Sequence, residues 1–387
     1  MPETVSRRRL ILAAILAIFV YGMIALLLGT LLPQLSLRYN LTPDQNGTIA
    51  FAQAIGLIIA SVSVGPLIDN KGKKTGLLLG LGLIAVSLFV LPNAPGYVLV
   101  MVFFLLLGLG GGILVTAANA LVSDIGAEWR ASALNLLNLF FGLGAMASPV
   151  IGRRLFAGDK IALCYLVAVL TTLTFVLHAA TAMPPPTGER AFKVSEARAL
   201  LGRPLLFLLA FVLFLYVACE VGVWNSLTRH LIAQGVPEER ALDILALGPL
   251  GLLLGRVAVS PVLIKVPAPT VTLAASVLMA ITTYAMLQTA DATLAGVLVF
   301  CAGVAMAPVF PTTLAMVGDA FPRMTATAMG IVITSGWIGL AVSSRIIGAI
   351  AGQDPRALKT ALLVIPAASA LMILVNLVIR PMLRKPA

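Results

Sequence analysis

The chain is predicted to be an all-α integral membrane protein in which twelve transmembrane helices form two six-helix halves with pseudo-two-fold symmetry. Three features carry that prediction. Of the 387 residues, 60% are hydrophobic and 11% charged, with a mean hydropathy of +1.06, far from the balance of a water-soluble domain. Apolar runs of about 20 residues recur along the chain, each able to cross a hydrocarbon core of ~30 Å at ~1.5 Å per residue. One such run in the first half also reappears in the second at a fixed offset.

The spans are expected at 10–36, 46–68, 75–92, 97–123, 130–157, 161–183, 204–231, 241–264, 268–288, 292–318, 325–350 and 357–380. The start, MPETVSRRRL, has the basic head of a signal peptide, but the apolar run behind it is too long for one and reads as span 1. The long polar connection from Pro184 to Arg203 opens on three prolines and continues with charges. It divides the chain into an N-terminal half (1–183), a linker (184–203) and a C-terminal half (204–387). The segment VSEARALLGR within it reads equally as an amphipathic surface helix or a solvated strap. ASALNLLNLFFGLGAMASPVIG, from Ala131, aligns with ATAMGIVITSGWIGLAVSSRII, from Ala326, 195 residues on, pairing Gly144 with Gly339 and Ser148 with Ser343. Spans 5 and 11 are thereby equivalent, as expected of halves related by an axis along the membrane normal, and alternating access about a central cavity is the expected mechanism.

Basic loops resist translocation. With the N-terminus in the cytoplasm, 17 of the 26 Lys and Arg fall on the inner side, both termini are cytoplasmic, and the net charge of +11 is this bias plus attraction to anionic lipid. Nucleic-acid binding is not needed to explain it. Cys164, Cys219 and Cys301 lie in apolar segments, and neither their number nor their spacing suggests disulfides or a metal site. Asn40-Leu41-Thr42 and Asn46-Gly47-Thr48 match a glycosylation pattern short enough to occur by chance, and the minimal loops and tails read as bacterial.

Polar side chains are costly in lipid and so mark a cavity. Glu220 of span 7 stands out, with Trp224 four residues on and Asn225 beside it. A carboxylate, an indole and an amide suit a hydroxylated solute, since the ring stacks on a sugar's apolar face while the polar groups bond its hydroxyls. The competing reading is a structural carboxylate paired with Arg256, itself expected to snorkel or brace a loop near the end of span 8. In spans 4 and 5, Thr116 and Asn119, and Asn135 and Asn138, form pairs three residues apart on shared faces. They read equally as substrate contacts or interhelical glue. Gln53 and Trp337 are further binding candidates, and Tyr21 is assigned to lining or interface. The glycines of GLGLGLI and GLGGGI are read as close-packing positions, since no strand precedes them as a phosphate loop requires.

Between spans 2 and 3 lies GPLIDNKGKK, in which Gly65, Asp69, Gly72, Lys73 and Lys74 suit a tight cytoplasmic hairpin, with an acidic group to cap helix ends and basic ones to pair with it. The spacing resembles the corresponding loop of the major facilitator superfamily, with Asn70 at a usually basic position. LLPQL, TAANALV, LNLLN, LYVACEV, Gly255-Arg256 and FPTTLAM together resemble the fucose permease-like sugar transporters of that superfamily along nearly the whole chain. The resemblance implies the major facilitator fold and monosaccharide transport, with Asn119, Asn135, Asn138 and Glu220 at family polar positions. Two departures stand out: the span 1 and span 4 carboxylates of proton-coupled members are replaced by Gly29 and Val115, which take up no proton. Transport is then uncoupled, or Glu220 couples it to H⁺ or Na⁺, or the solute is less hydrophilic than a free hexose.

An enzyme is disfavoured: the two histidines are far apart and no intramembrane carboxylates are paired. The expected function is a secondary transporter in a bacterial inner membrane moving a small hydroxylated solute, foremost a monosaccharide. It is expected to act as a monomer without cofactor. The alternatives are an exporter of amphipathic compounds and a carrier of organic acids.

Overall fold

The structure, a computed structural model, describes residues 7–156, 159–184, 199–351 and 355–384. Twelve helices among them are long and apolar enough to cross a membrane, as the apolar runs predict. The segment 185–198 of the linker lies outside the described residues, and with it the first half of the proposed surface helix.

Several spans are built differently from the uninterrupted rods expected. Span 1 runs as Arg7–Ala25, turns at Leu26 and resumes as Leu27–Tyr39. Span 10 is Ala292–Met306 followed by Val309–Ala320, parted at Pro308, whose ring removes a donor and crowds the preceding turn. Span 12 is split at Leu363, three residues before Pro366, which leaves Leu362 O without its helical donor. Pro66 in span 2 (Pro43–Lys71) and Pro249 and Pro261 in span 8 (Glu238–Lys265) are carried inside continuous helices. The start of span 2 is fixed by a reciprocal cap, Gln45 N to Thr42 Oγ1 and Thr42 N to Gln45 Oε1.

Packing sorts the chain into two compact units. One comprises Met1–Ala127, Leu137–Arg198 and Phe321–Thr334, the other Glu128–Leu136, Ala199–Ala320 and Ser335–Ala387. Each is held by helix crossings so close that a side chain would strike a neighbouring carbonyl. In the first, a Cβ at Gly56 would fall on Leu105 O and one at Gly108 on Gln53 O, joining span 2 to span 4 (Tyr97–Ile125). In the second, Gly251 meets Phe300 O and Gly303 meets Gly248 O, joining spans 8 and 10. Each of these four positions in the second unit lies 195 residues beyond its partner in the first. The crossing of span 1 with span 5 (Arg130–Arg154) repeats likewise: Gly144 faces Phe19 O, and Gly339 of span 11 (Thr325–Ala351) faces Phe214 O of span 7 (Pro204–Ala233). The sequence repeat is thus a repeat of backbone-to-backbone contacts, where only glycine admits the approach.

Candidate functional site

Span 7 presents Tyr216, Glu220 and Trp224 at four-residue intervals along one ridge, and span 8 answers with Gly248 and Arg256 on a ridge of the same pitch. Tyr216 is buried, while Glu220 and Trp224 are half-buried. The charges of Glu220 and Arg256 act on each other and on Tyr216, and the Trp224 indole reaches the Glu220 carboxyl. Tyr216 Oη has no well-formed hydrogen bond of its own. The six-membered ring of Trp224 lies against Gly248, where any Cβ would overlap it.

Arg256 corrects the sequence expectation. It is 5% exposed and does not snorkel. Span 8 runs to Lys265, which puts Arg256 about 14 Å from that end by the helical rise, too deep for its side chain to reach the boundary. A guanidinium buried there needs a counter-charge, and Glu220 supplies one. The backbone of Asn225 continues the span 7 helix; its side chain lies outside the described residues.

The asparagines divide into two settings. Asn119 is buried, donates from Nδ2 to Val115 O (2.8 Å) and accepts at Oδ1 from Asn138 Nδ2 (3.3 Å), an amide pair joining spans 4 and 5 in the first unit. Thr116 Oγ1 donates to Gly112 O in its own helix. Asn135, three residues before Asn138, belongs to the second unit. Its Nδ2 donates to Arg256 O and to Ser260 Oγ (2.9 Å), which spends the donors on span 8 and leaves a buried Oδ1 without a partner. Asn135 thus acts as interhelical glue, one of the two roles its sequence allowed. Gln53 is half-buried beside Gly108, and Trp337 is half-buried with Nε1 unpaired. Tyr21 is buried against Phe141 and Gly111.

The acidic residue of the hairpin after span 2 caps a helix end, as expected, but the helix is a distant one, and the basic residues bond elsewhere. Asp69 accepts from Ala326 N (3.2 Å), Thr327 N (2.8 Å) and Thr327 Oγ1 (2.6 Å), capping the first turn of span 11. Gly65 packs where a side chain would strike the Thr327 backbone, and Gly72 takes φ 92°, which an L side chain rarely adopts. Lys73 pairs with Asp124 (2.6 Å), and Lys74 donates to Ala179 O and Thr181 O. The hairpin's basic residues hold the ends of spans 4 and 6 while its carboxylate holds span 11. The capped helix lies 257 residues along the chain, out of reach of local sequence reasoning.

Sequence reasoning passed over Tyr216, Gly248 and Ser260. The first was within its grasp, since the four-residue interval from Glu220 to Trp224 extends backwards to Tyr216. Among the described residues no group of three or more His, Cys, Asp or Glu comes together as a metal-ligand set.

A model of the Major Facilitator Superfamily matches residues 11–344. The chain is 29% identical over 234 residues to the glucose/galactose transporter of Brucella abortus biovar 1 (strain 9-941), a match that spans 56% of this chain and only 57% of that one. It is 26% identical over 358 residues to the glucose/mannose transporter GlcP of Bacillus subtilis (strain 168), covering 87% and 86% of the two chains. Among solved structures, FucP, a Major Facilitator Superfamily transporter crystallised in the outward conformation, is similar with a TM-score of 0.84 at 19% identity, over 95% of this chain and 98% of that one. That last likeness is one of fold. With the family model matched over most of a chain that folds into twelve such helices, the chain belongs to the Major Facilitator Superfamily.

Proposed function

We propose that the protein is a secondary transporter, not an enzyme, that carries a neutral monosaccharide or a close hydroxylated relative across a bacterial inner membrane by alternating access. The observation that carries this reading is the Tyr216, Glu220, Trp224 and Arg256 cluster of spans 7 and 8. Its two charges cancel, which suits a neutral solute and weighs against an organic acid. The indole offers a stacking surface for a sugar ring, and the carboxylate and phenol offer partners to hydroxyls. The Asn119 and Asn138 amides are the second set of polar contacts we assign to the solute. The likeness to the glucose/galactose transporter from Brucella and the glucose/mannose transporter from Bacillus supports the substrate class.

Counterflow of labelled fucose, glucose and galactose in proteoliposomes, with no imposed gradient, tests the reading. Exchange of any one upholds it; silence across the panel from folded protein removes it. Coupling is assigned to Glu220, the acidic residue set deep in a span, with H⁺ or Na⁺ as the ion. A Glu220→Gln carrier is then expected to keep exchange and lose gradient-driven accumulation, and an unchanged response to the gradient takes that role away.

A further inference from the structure

Gly248 meets two neighbours at once. A side chain there would overlap the ring of Trp224, and its carbonyl oxygen lies where a side chain at Gly303 would fall. The second contact belongs to the crossing of spans 8 and 10, and that crossing has a counterpart in the other unit, Gln53 O against Gly108. Gln53 holds the place 195 residues before Gly248 and carries a full side chain. The crossing itself therefore accepts a side chain at this position. What excludes one in span 8 is the indole, and the place equivalent to Trp224 in span 1 is Gly29. The repeat is an internal control that separates the demand of helix packing from the demand of the ring.

We propose that Gly248 is a specificity-determining residue that seats Trp224. By leaving the span 8 backbone bare, it lets the indole lie against the helix, in reach of the Glu220 carboxyl, with its half-exposed remainder turned to the solute as a platform for the apolar face of a pyranose. A methyl group at 248 moves the ring and narrows the space beside it. This inference rests on the assignment of Trp224 as a solute contact.

The test uses the full chain in two arms. In a background carrying Trp129→Phe and Trp337→Phe, Trp224 emission is recorded for Gly248, Gly248→Ala and Gly248→Gln without sugar. In proteoliposomes, half-saturation of counterflow is measured for whichever of labelled fucose, glucose or galactose the native chain exchanges, with Gly248→Ala, Trp224→Ala and the double variant. The expected result is a shifted emission and a half-saturation raised by about two- to tenfold, the range of an aromatic stacking contact. In the Trp224→Ala background, Gly248→Ala is expected to add nothing. An unmoved emission, or an equal effect of Gly248→Ala with and without Trp224, overturns the proposal. Should Gly248→Ala fail to fold, rescue by Trp224→Ala upholds the seat and failure of rescue overturns it. If no sugar is exchanged, the emission decides alone: a shift upholds the seat and fails only the sugar reading.

Discussion

Two helix crossings 195 residues apart, span 2 on span 4 and span 8 on span 10, share their backbone and differ in their chemistry. Gly56 and Gly108 meet the carbonyls of Leu105 and Gln53, as Gly251 and Gly303 meet those of Phe300 and Gly248. One turn or two further on, the likeness stops. Span 2 has Ser61, whose buried Oγ finds no partner, where span 8 has Arg256, buried within the field of the Glu220 charge. The place in span 1 equivalent to Glu220 is Ala25. Conversely, the amide pair Asn119 and Asn138 has Leu314 and Ile333 as its counterparts. Several of the close backbone contacts need only glycine and survive duplication, while side chains free of that duty diverge, so that the two halves carry different polar clusters. Asn135 is an exception: its counterpart Gly330 packs bare on Ser61 O, while Asn135 keeps a side chain at that place and donates to Arg256 O.

The equivalence of the two crossings is tested first at their glycines. Gly108→Val and Gly303→Val each force a branched side chain onto a carbonyl, and overpacking of this kind costs ~1–3 kcal/mol or more. Both should lose monodisperse protein on size exclusion to a similar degree, and a loss confined to one would deny the equivalence. At the diverged pair the outcome should be unequal. Arg256→Gln strands the Glu220 carboxylate and should cost about 3 kcal/mol in thermal unfolding, largely recovered by adding Glu220→Gln. Ser61→Ala removes an unpaired hydroxyl and should be neutral or slightly stabilising. Asp69→Asn weakens a cap of three hydrogen bonds on span 11, and amide exchange at 325–330 should quicken about tenfold, while the equivalent Ile264→Val leaves the first turn of span 5 unchanged.

The smallest effect concerns the helix caps. Asp291 caps span 10 by accepting from Leu294 N and Thr293 N, and these two bonds hold its carboxyl below the usual carboxylate range. A depressed folded pKa means stability that is present above the unfolded pKa and lost as pH falls through the folded one. Its counterpart Gly96 caps span 4 with no side chain. Asp291→Ala should therefore slightly flatten the acid side of the stability profile, and Gly96→Asp should steepen it. Identical profiles would sink the assignment of the cap.

The twelve spans were legible because lipid forces apolar runs of a fixed length, and the repeat was legible because glycines at several of the closest backbone contacts, such as Gly144 and Gly339, recur at the same offset. Glu220 and Trp224 could be placed on one face from their spacing. The interruption at Leu26 could not be placed, because hydropathy is blind to a broken hydrogen-bond ladder, whereas Pro308 and Pro366 mark the breaks in spans 10 and 12. Arg256 was misread because its depth depends on where span 8 ends. The partner of Asp69 was invisible, since nothing in the hairpin names a helix end 257 residues away. Asn135 and Asn138 looked alike in sequence and part in the fold, one holding span 8 and the other Asn119.

Asn138 in the first unit and Trp224 in the second are each assigned to the solute, and each assignment is tested separately. Equilibrium binding of the exchanged monosaccharide to the purified native chain, to Asn138→Leu and to Trp224→Ala tests them most directly. The account predicts saturable binding weakened in each variant, by up to about tenfold, the worth of one hydrogen bond or one stacked ring. Unchanged affinity in either variant, with the folded state intact, would contradict the assignment of that residue.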